Sequence, residues 1–311
     1  MSISVIPYDP AYEAEIRKLE NTANQGGHIV LKIIKNNFLD RSSVFEKNFP
    51  VLSIDENKIL AGTCVGVHTN IIINGEHFET GFALDAKVSP AYRNQGVGGM
   101  MAKHVYKNFF QQQQFKKNFT TLKLTNIPVI KLSAKAVGKT WLYDFVYLTI
   151  PATSRISERF IPKDASKLSV RLFRPERLCS DYYLNFTTGL GCFYTHKMYR
   201  LKIVQISRLY KLGLSALKLT NPRKYSLLPK EKEVINFATL YNHSEKNIKN
   251  INNVLDHLAE KKIKYLLVCC RKNDDIYKYL KKHSINTYRY YVLADFHLSA
   301  RDHLTVDVRC L

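Results

Sequence analysis

The stretch 88–101, VSPAYRNQGVGGMM, decides how the chain is read. A short apolar segment meets Pro90, a basic and amide-rich turn follows, and Gly96, Gly98 and Gly99 open a segment that can be helical. Glycine is scarce elsewhere, 13 in 311 residues. Three of them within four positions mark a backbone that turns sharply or meets something closely. Downstream, MMAKHVYKNFF places Met101, Val105 and Phe109 four apart on one helical face.

Upstream, SISVIPY reads as an opening strand. DPAYEAEIRKLENTA reads as a helix, with Asp9 as N-cap and Pro10 at the first position. HIVLKIIKNNF suggests a second helix, and 50–88 reads as a strand meander turned by DENK and by the NG of 74–75. After the glycines a strand (FTTLKLTN), a helix from Asn126 and a strand (WLYDFVYLTI) complete an α/β unit over 1–154. Residues 155–311 comprise a basic connector and a second αβαβ set. Its first helix carries Ile248, Ile251, Val254, Leu255 and Leu258, and IKYLLVCC, DDIYKYLKKH and TYRYYVLADF follow. This is a degenerate echo of the first unit.

The net charge of +21 is unevenly distributed: −3 over 1–90, +20 over 91–230 and +4 over 231–311. Such a field attracts anions, whether nucleotide phosphates, nucleic acid or an anionic membrane. RLKIVQISRLYKLGLSALKL, inside the basic segment, mixes basic and apolar residues at helical spacing. No apolar run is long enough to span a membrane. The N-terminus lacks the basic and apolar regions of a signal peptide. The six cysteines form no C-x-x-C pair, which argues against zinc and for reduced, buried thiols. A cytoplasmic protein without a metal is expected.

Three phosphate-binding motifs compete for 93–99. A P-loop needs a Lys-Ser/Thr after its glycines, and none follows. A dinucleotide fingerprint needs a third glycine where Met101 stands, and an acidic residue about 20 positions later, where 86–143 has none. Arg93-Asn94-Gln95-Gly96-Val97-Gly98 instead resembles the R/Q-x-x-G-x-G/A signature of the GCN5-related N-acetyltransferases, with Val88, Pro90 and Tyr92 as its usual preamble. The physical logic stands without the name: glycines let successive N–H groups converge on a pyrophosphate, and the positive end of a helix adds to the field.

The resemblance covers roughly 3–154. It implies a mixed, mostly antiparallel central sheet flanked by helices, with 155–311 as a second, degenerate unit of the same kind. It implies acetyl-CoA as co-substrate, held by Arg93, Asn94, Gln95, Gly96, Val97, Gly98 and Gly99 and by the backbone of Ala86 and Val88. Asn126 matches the family's asparagine near the pantetheine arm. Ser133 stands where the family usually has a tyrosine that protonates the leaving thiolate, so the usual acid is missing unless Tyr143 or another group substitutes. The whole-chain layout also loosely resembles plant hookless-type acetyltransferases. No glycine follows Gly213, so a second glycine-turn coenzyme site is not expected.

Acetyl transfer to an amine needs a proton acceptor, an oxyanion donor and positioning. Near the motif Asp85 and Glu79 are candidate bases and Tyr143 a candidate acid; His68 and His104 read as structural. On an ideal strand Asp85 points away from a face shared by Phe82, Leu84, Ala86 and Val88. The expected function is an acetyl-CoA-dependent N-acyltransferase acting on an amine substrate, small molecule or protein. The alternatives are a catalytically weak coenzyme A-binding protein, and a nucleic-acid or anionic-membrane binder using 91–230.

Overall fold

Asn74 and Gly75 both adopt positive φ, 52° and 90°, the left-handed pair that a two-residue hairpin turn requires. They join β4 (Leu60–Ile73) to β5 (Glu76–Val88). In this computed structural model, which describes residues 2–22, 29–123, 126, 129–132, 138–157, 159–163 and 166–311, that hairpin is the spine of the first unit. β3 (Asn48–Asp55) pairs antiparallel with β4, and β1 (Ile3–Pro7) with β3. Asp9 caps a 3-10 turn at Pro10–Tyr12, which leads into α1 (Glu13–Thr22).

α1 buries Ile16 and Leu19 against one face of the hairpin, in a core with Val65, Val67, Phe82, Leu84 and Phe119. α2 (Val97–Val105) covers the other face, with Val97, Met101 and Val105 packed beside Ala61, Cys64, Phe109 and Phe110. It widens into a π-helical turn at Tyr106–Phe110.

β6 (Lys117–Lys123) adds parallel to β5. The next strand in space is not the next in sequence. β15 (Asn286–Ala294) lies between β6 and β7 (Trp141–Pro151), antiparallel to both. β14 (Tyr265–Cys270), β13 (Phe237–Tyr241), β10 (Gly191–Phe193) and β9 (Tyr183–Asn185) continue the sheet. β16 (Leu304–Asp307) pairs with β4 and with β8 (Leu168–Arg171). The result is one mixed, mostly antiparallel thirteen-stranded sheet among the described residues. α5 (Ile251–Glu260) and α6 (Asp275–Lys281) cover its C-terminal part over a core of Val146, Leu148, Leu255 and Leu266.

Two helix expectations fail. HIVLKIIKNNF forms β2 (Ile29–Ile34), and the first part of RLKIVQISRLYKLGLSALKL forms β11 (Arg200–Ile206). The two pair antiparallel, with β12 (Val234–Ile235) on the far side of β11. Both segments are rich in β-branched residues, and each supplies the other's partner. Only the later part of the basic segment is helical, as α3 (Arg208–Thr220), followed by α4 (Pro222–Leu227).

Candidate active site

The site begins with one extra residue. Val65 pairs with Leu84 and Thr63 with Lys87, so Asp85 and Ala86 together face the single Cys64. This is a β-bulge, and Asp85 takes a φ of 51° to make it. The Thr63 hydroxyl donates to Asp85 O at 3.1 Å and fastens the bulge. The bulge overturns the expected alternation. Phe82 and Leu84 lie in the α1-side core, whereas Val88 packs on the α2 side.

The bulge also ends the strand pairing. β5 pairs with β6 from Thr80 to Ala83 and no further, although β6 runs on to Lys123. Past Ala83 the two parallel strands diverge. Among the described residues the β6-facing backbone edge of 84–88 has no strand partner, which leaves a slot between the two strands.

The slot leads to the glycine turn. Asn94 (φ 64°) and Gly96 (φ 81°) are both left-handed, and Gly96 N-caps α2 with no side-chain acceptor. Uncapped amides at a helix start form an anion cradle. At Gly98 a Cβ would come within 2.8 Å of Leu132 and 3.5 Å of Val88, so a side chain there would close the slot between helix, strand and the helical turn at 129–132. Arg93, Asn94 and Gln95 are exposed at the rim. Asn126 caps that turn through its backbone: its carbonyl accepts from Val129 N at 3.2 Å and Ile130 N at 3.4 Å. Ser133 lies outside the described residues.

The Asp85 side chain is buried, and Lys35 Nζ donates to it at 2.9 Å. Lys35 also meets Glu20 at 2.9 Å, Glu20 meets Lys87 at 2.7 Å, and Arg41 Nη1 lies 3.5 Å from Asp85. Burial alone would raise the Asp85 carboxyl, but Lys35, Lys87 and Arg41 hold it well below the usual carboxylate range. A carboxylate held that low is a poor proton acceptor at neutral pH. Asp85 is an anchor for the bulge and its cations, which is a different role from the base expected of it.

The other two expected groups lie away from the slot. Glu79 is six residues before the bulge, roughly 20 Å along the strand, exposed and 3.4 Å from Arg174. Tyr143 is two strands from β6, roughly 10 Å away. Its hydroxyl is taken at both ends: it donates to Phe296 O at 2.9 Å and accepts from Leu298 N at 2.6 Å. His68 stacks on Phe115 with centroids 5.0 Å apart, and burial pushes its pKa down. His104 stacks on Phe49 at 6.0 Å.

On the α1 side of the slot the structure gathers groups that sequence spacing did not point to. Arg41 lies over the Tyr199 ring at 5.3 Å. Tyr147 and Tyr290 meet edge to face at 5.2 Å. Thr121 on β6 donates to Cys310 O at 3.0 Å. Within this cluster Arg41 Nε and the Tyr147 hydroxyl are buried with no hydrogen-bond partner among the described residues. Tyr147 is 6% exposed, and burial holds its hydroxyl protonated. Lys123 ends β6 on the same side as Phe119 and Thr121 by strand alternation. Burial lowers its pKa, and it has no ion-pair partner among the described residues. These residues come from six separate segments, which is why no local motif announces them.

No protein-family model matches the sequence, and no curated protein sequence does. Solved structures do match. Saccharomyces cerevisiae N-myristoyltransferase with bound myristoyl-CoA aligns over 98% of this chain and 85% of its own, at a TM-score of 0.57 and 8% identity. A GCN5-related glucosamine N-acetyltransferase region of a fungal multi-domain GH3 β-N-acetylglucosaminidase aligns over 95% of this chain and 38% of its own, at 0.52 and 10% identity. The chain therefore has the fold of the GCN5-related N-acetyltransferase superfamily, with two such units sharing one sheet. The structures give no support to the looser likeness to plant hookless-type enzymes. No described helix is long and apolar enough to cross a membrane.

Proposed function

We propose that the protein is an acyl-CoA-dependent N-acyltransferase with one coenzyme site. The observation that carries this reading is the slot between β5 and β6, bulged at Asp85 and leading to the uncapped, left-handed start of α2 at Gly96. The amides of Gly96, Val97, Gly98 and Gly99 would hold the pyrophosphate, with Arg93, Asn94 and Gln95 at the rim. The unpaired backbone of Ala86 and Val88 would hold the pantetheine arm, with Asn126 at the far wall.

The bound thioester supplies an electrophilic acyl carbon. The chain's own groups do the rest. A backbone N–H freed by the bulge stabilises negative charge on the acyl oxygen. Arg41 Nε and Tyr147 Oη donate to the acceptor and orient its amine. Free amines have pKa values near 10.4, so attack requires a proton acceptor. Lys123, neutral more readily than an exposed lysine, would take that proton and return it to the coenzyme A thiolate that leaves as the C–S bond breaks. Acetyl-CoA is the donor that the motif implies. The whole-chain likeness to a myristoyl-CoA-bound enzyme makes a long-chain acyl donor the second reading.

Calorimetry with acetyl-CoA and with myristoyl-CoA tests both, on wild type beside Gly96→Glu/Gly98→Glu. We expect dissociation constants of about micromolar for the preferred donor and none measurable for the folded variant. Absence of binding by folded wild type to either donor would reduce the glycines to a chain turn and overturn the proposal.

A further inference from the structure

Most amphipathic helices in a globular protein show one apolar stripe, turned inward. α3 has two. Tyr210 and Leu214 pack toward the core of Ile203, Ile206, Ile235 and Phe237. Leu209, Leu212 and Leu219 instead face solvent at 75%, 67% and 86% exposure, and no residue of the helix is buried. At 100° per residue these leucines fall within about 80° of arc, with Ala216 between them. Arg208, Lys211 and Lys218 border that arc on one side, all exposed. Lys211 is held at 2.6 Å from Glu231, and Lys218 lies 6.0 Å from the Tyr225 ring. The surrounding chain has no acidic residue from 182 to 230 and nine basic ones.

We propose that α3 is a surface-lying membrane helix, whose three leucines enter an anionic lipid leaflet while the bordering cations meet the headgroups. Charge selects the occupant. A basic border around an apolar stripe complements phosphatidylserine-like headgroups above acyl chains. A nucleic acid would use the cations and leave the leucines in water. A second copy of the chain would bring its own cations to the same border.

The test is co-sedimentation of the full chain with phosphatidylcholine vesicles, with and without about a third phosphatidylserine. The variants are Leu209→Glu/Leu212→Glu/Leu219→Glu and, separately, Arg208→Glu/Lys218→Glu. Circular dichroism and acyl-CoA binding confirm that both are folded. We expect wild type to pellet with the phosphatidylserine vesicles, about tenfold less at high salt, and each variant to lose at least tenfold. The proposal is overturned if wild type ignores both vesicles, or if the leucine variant pellets like wild type. It also fails if ultracentrifugation shows a wild-type dimer that the leucine variant dissolves, or if duplex DNA or RNA is bound and competes equally well in both.

Discussion

Lys35 shows how much of the site depends on single charges. Its side chain is 1% exposed and serves Asp85, Glu20 and the Phe38 carbonyl together. Lys35→Met strands Asp85 without its hydrogen-bonding cation. The expected loss is about 3–5 kcal/mol, read as a lower denaturant midpoint at unchanged m-value. The same pair predicts a pH dependence. The folded pKa of Asp85 is depressed, so the pair's contribution is full above the unfolded value of about 3.9 and is lost as pH falls toward the folded value. Asp85→Asn should flatten that acid limb in thermal unfolding between neutral pH and about pH 3. Equal acid sensitivity in both proteins would refute the assignment. Lys123 makes the kinetic counterpart. Lys123→Met is expected to lower kcat by about 10²-fold with coenzyme affinity intact, and to remove the limb in which wild-type activity rises with pH as the lysine deprotonates. A drop in affinity with no change in the pH profile would make Lys123 a binding group instead.

At the scale of elements, the bulge in β5 is what converts a hairpin into a site. Thr63→Val removes the hydroxyl that grips Asp85 O and leaves the shape almost unchanged. It should cost about 1 kcal/mol of stability and weaken acyl-CoA binding, because a slackened bulge lets 84–88 drift toward β6. Unaltered affinity by calorimetry would show the slot to be held by α2 alone. The elements that sequence made legible were those with local causes: the NG turn, the Asp9 cap, the glycine turn and the 3.6-residue stripes of α2 and α5. The bulge was not legible. Period-two alternation is the default for any strand, and nothing in GFALDAKV signals an inserted residue. β2 and β11 were misread because their apolar spacing suits a helix almost as well as a strand. Only the pairing between them, some 170 residues apart, decides the matter. The donors Arg41 and Tyr147 escaped for the same reason, since each is ordinary in its own segment and only the fold brings them to one slot.

For the whole molecule, the decisive feature is the position of β15. The break after residue 154 is a reasonable reading of composition, but the sheet crosses it. Without 155–311, β6 and β7 lose the strand that joins them. That strand pairs with β7 over nine residues and with β6 over five. β16 contributes a further edge to β4, β14 pairs with the other edge of β7 and β11 pairs with β2, so the C-terminal part contacts the first unit at several separated places. A fragment ending at 154 would expose two bare strand edges beside the slot, and exposed edges pair with whatever they meet. We therefore expect 1–154 expressed alone to aggregate or to lack dispersed amide resonances. Co-expression with 155–311 should restore a soluble complex that binds acyl-CoA. Full-length protein should unfold in one transition by both fluorescence and circular dichroism, because neither half has a closed sheet to retain. A soluble 1–154 that binds the coenzyme with wild-type affinity would reverse this view. The second unit would then be an appendage to a self-sufficient site, instead of the strand that closes the sheet beside it.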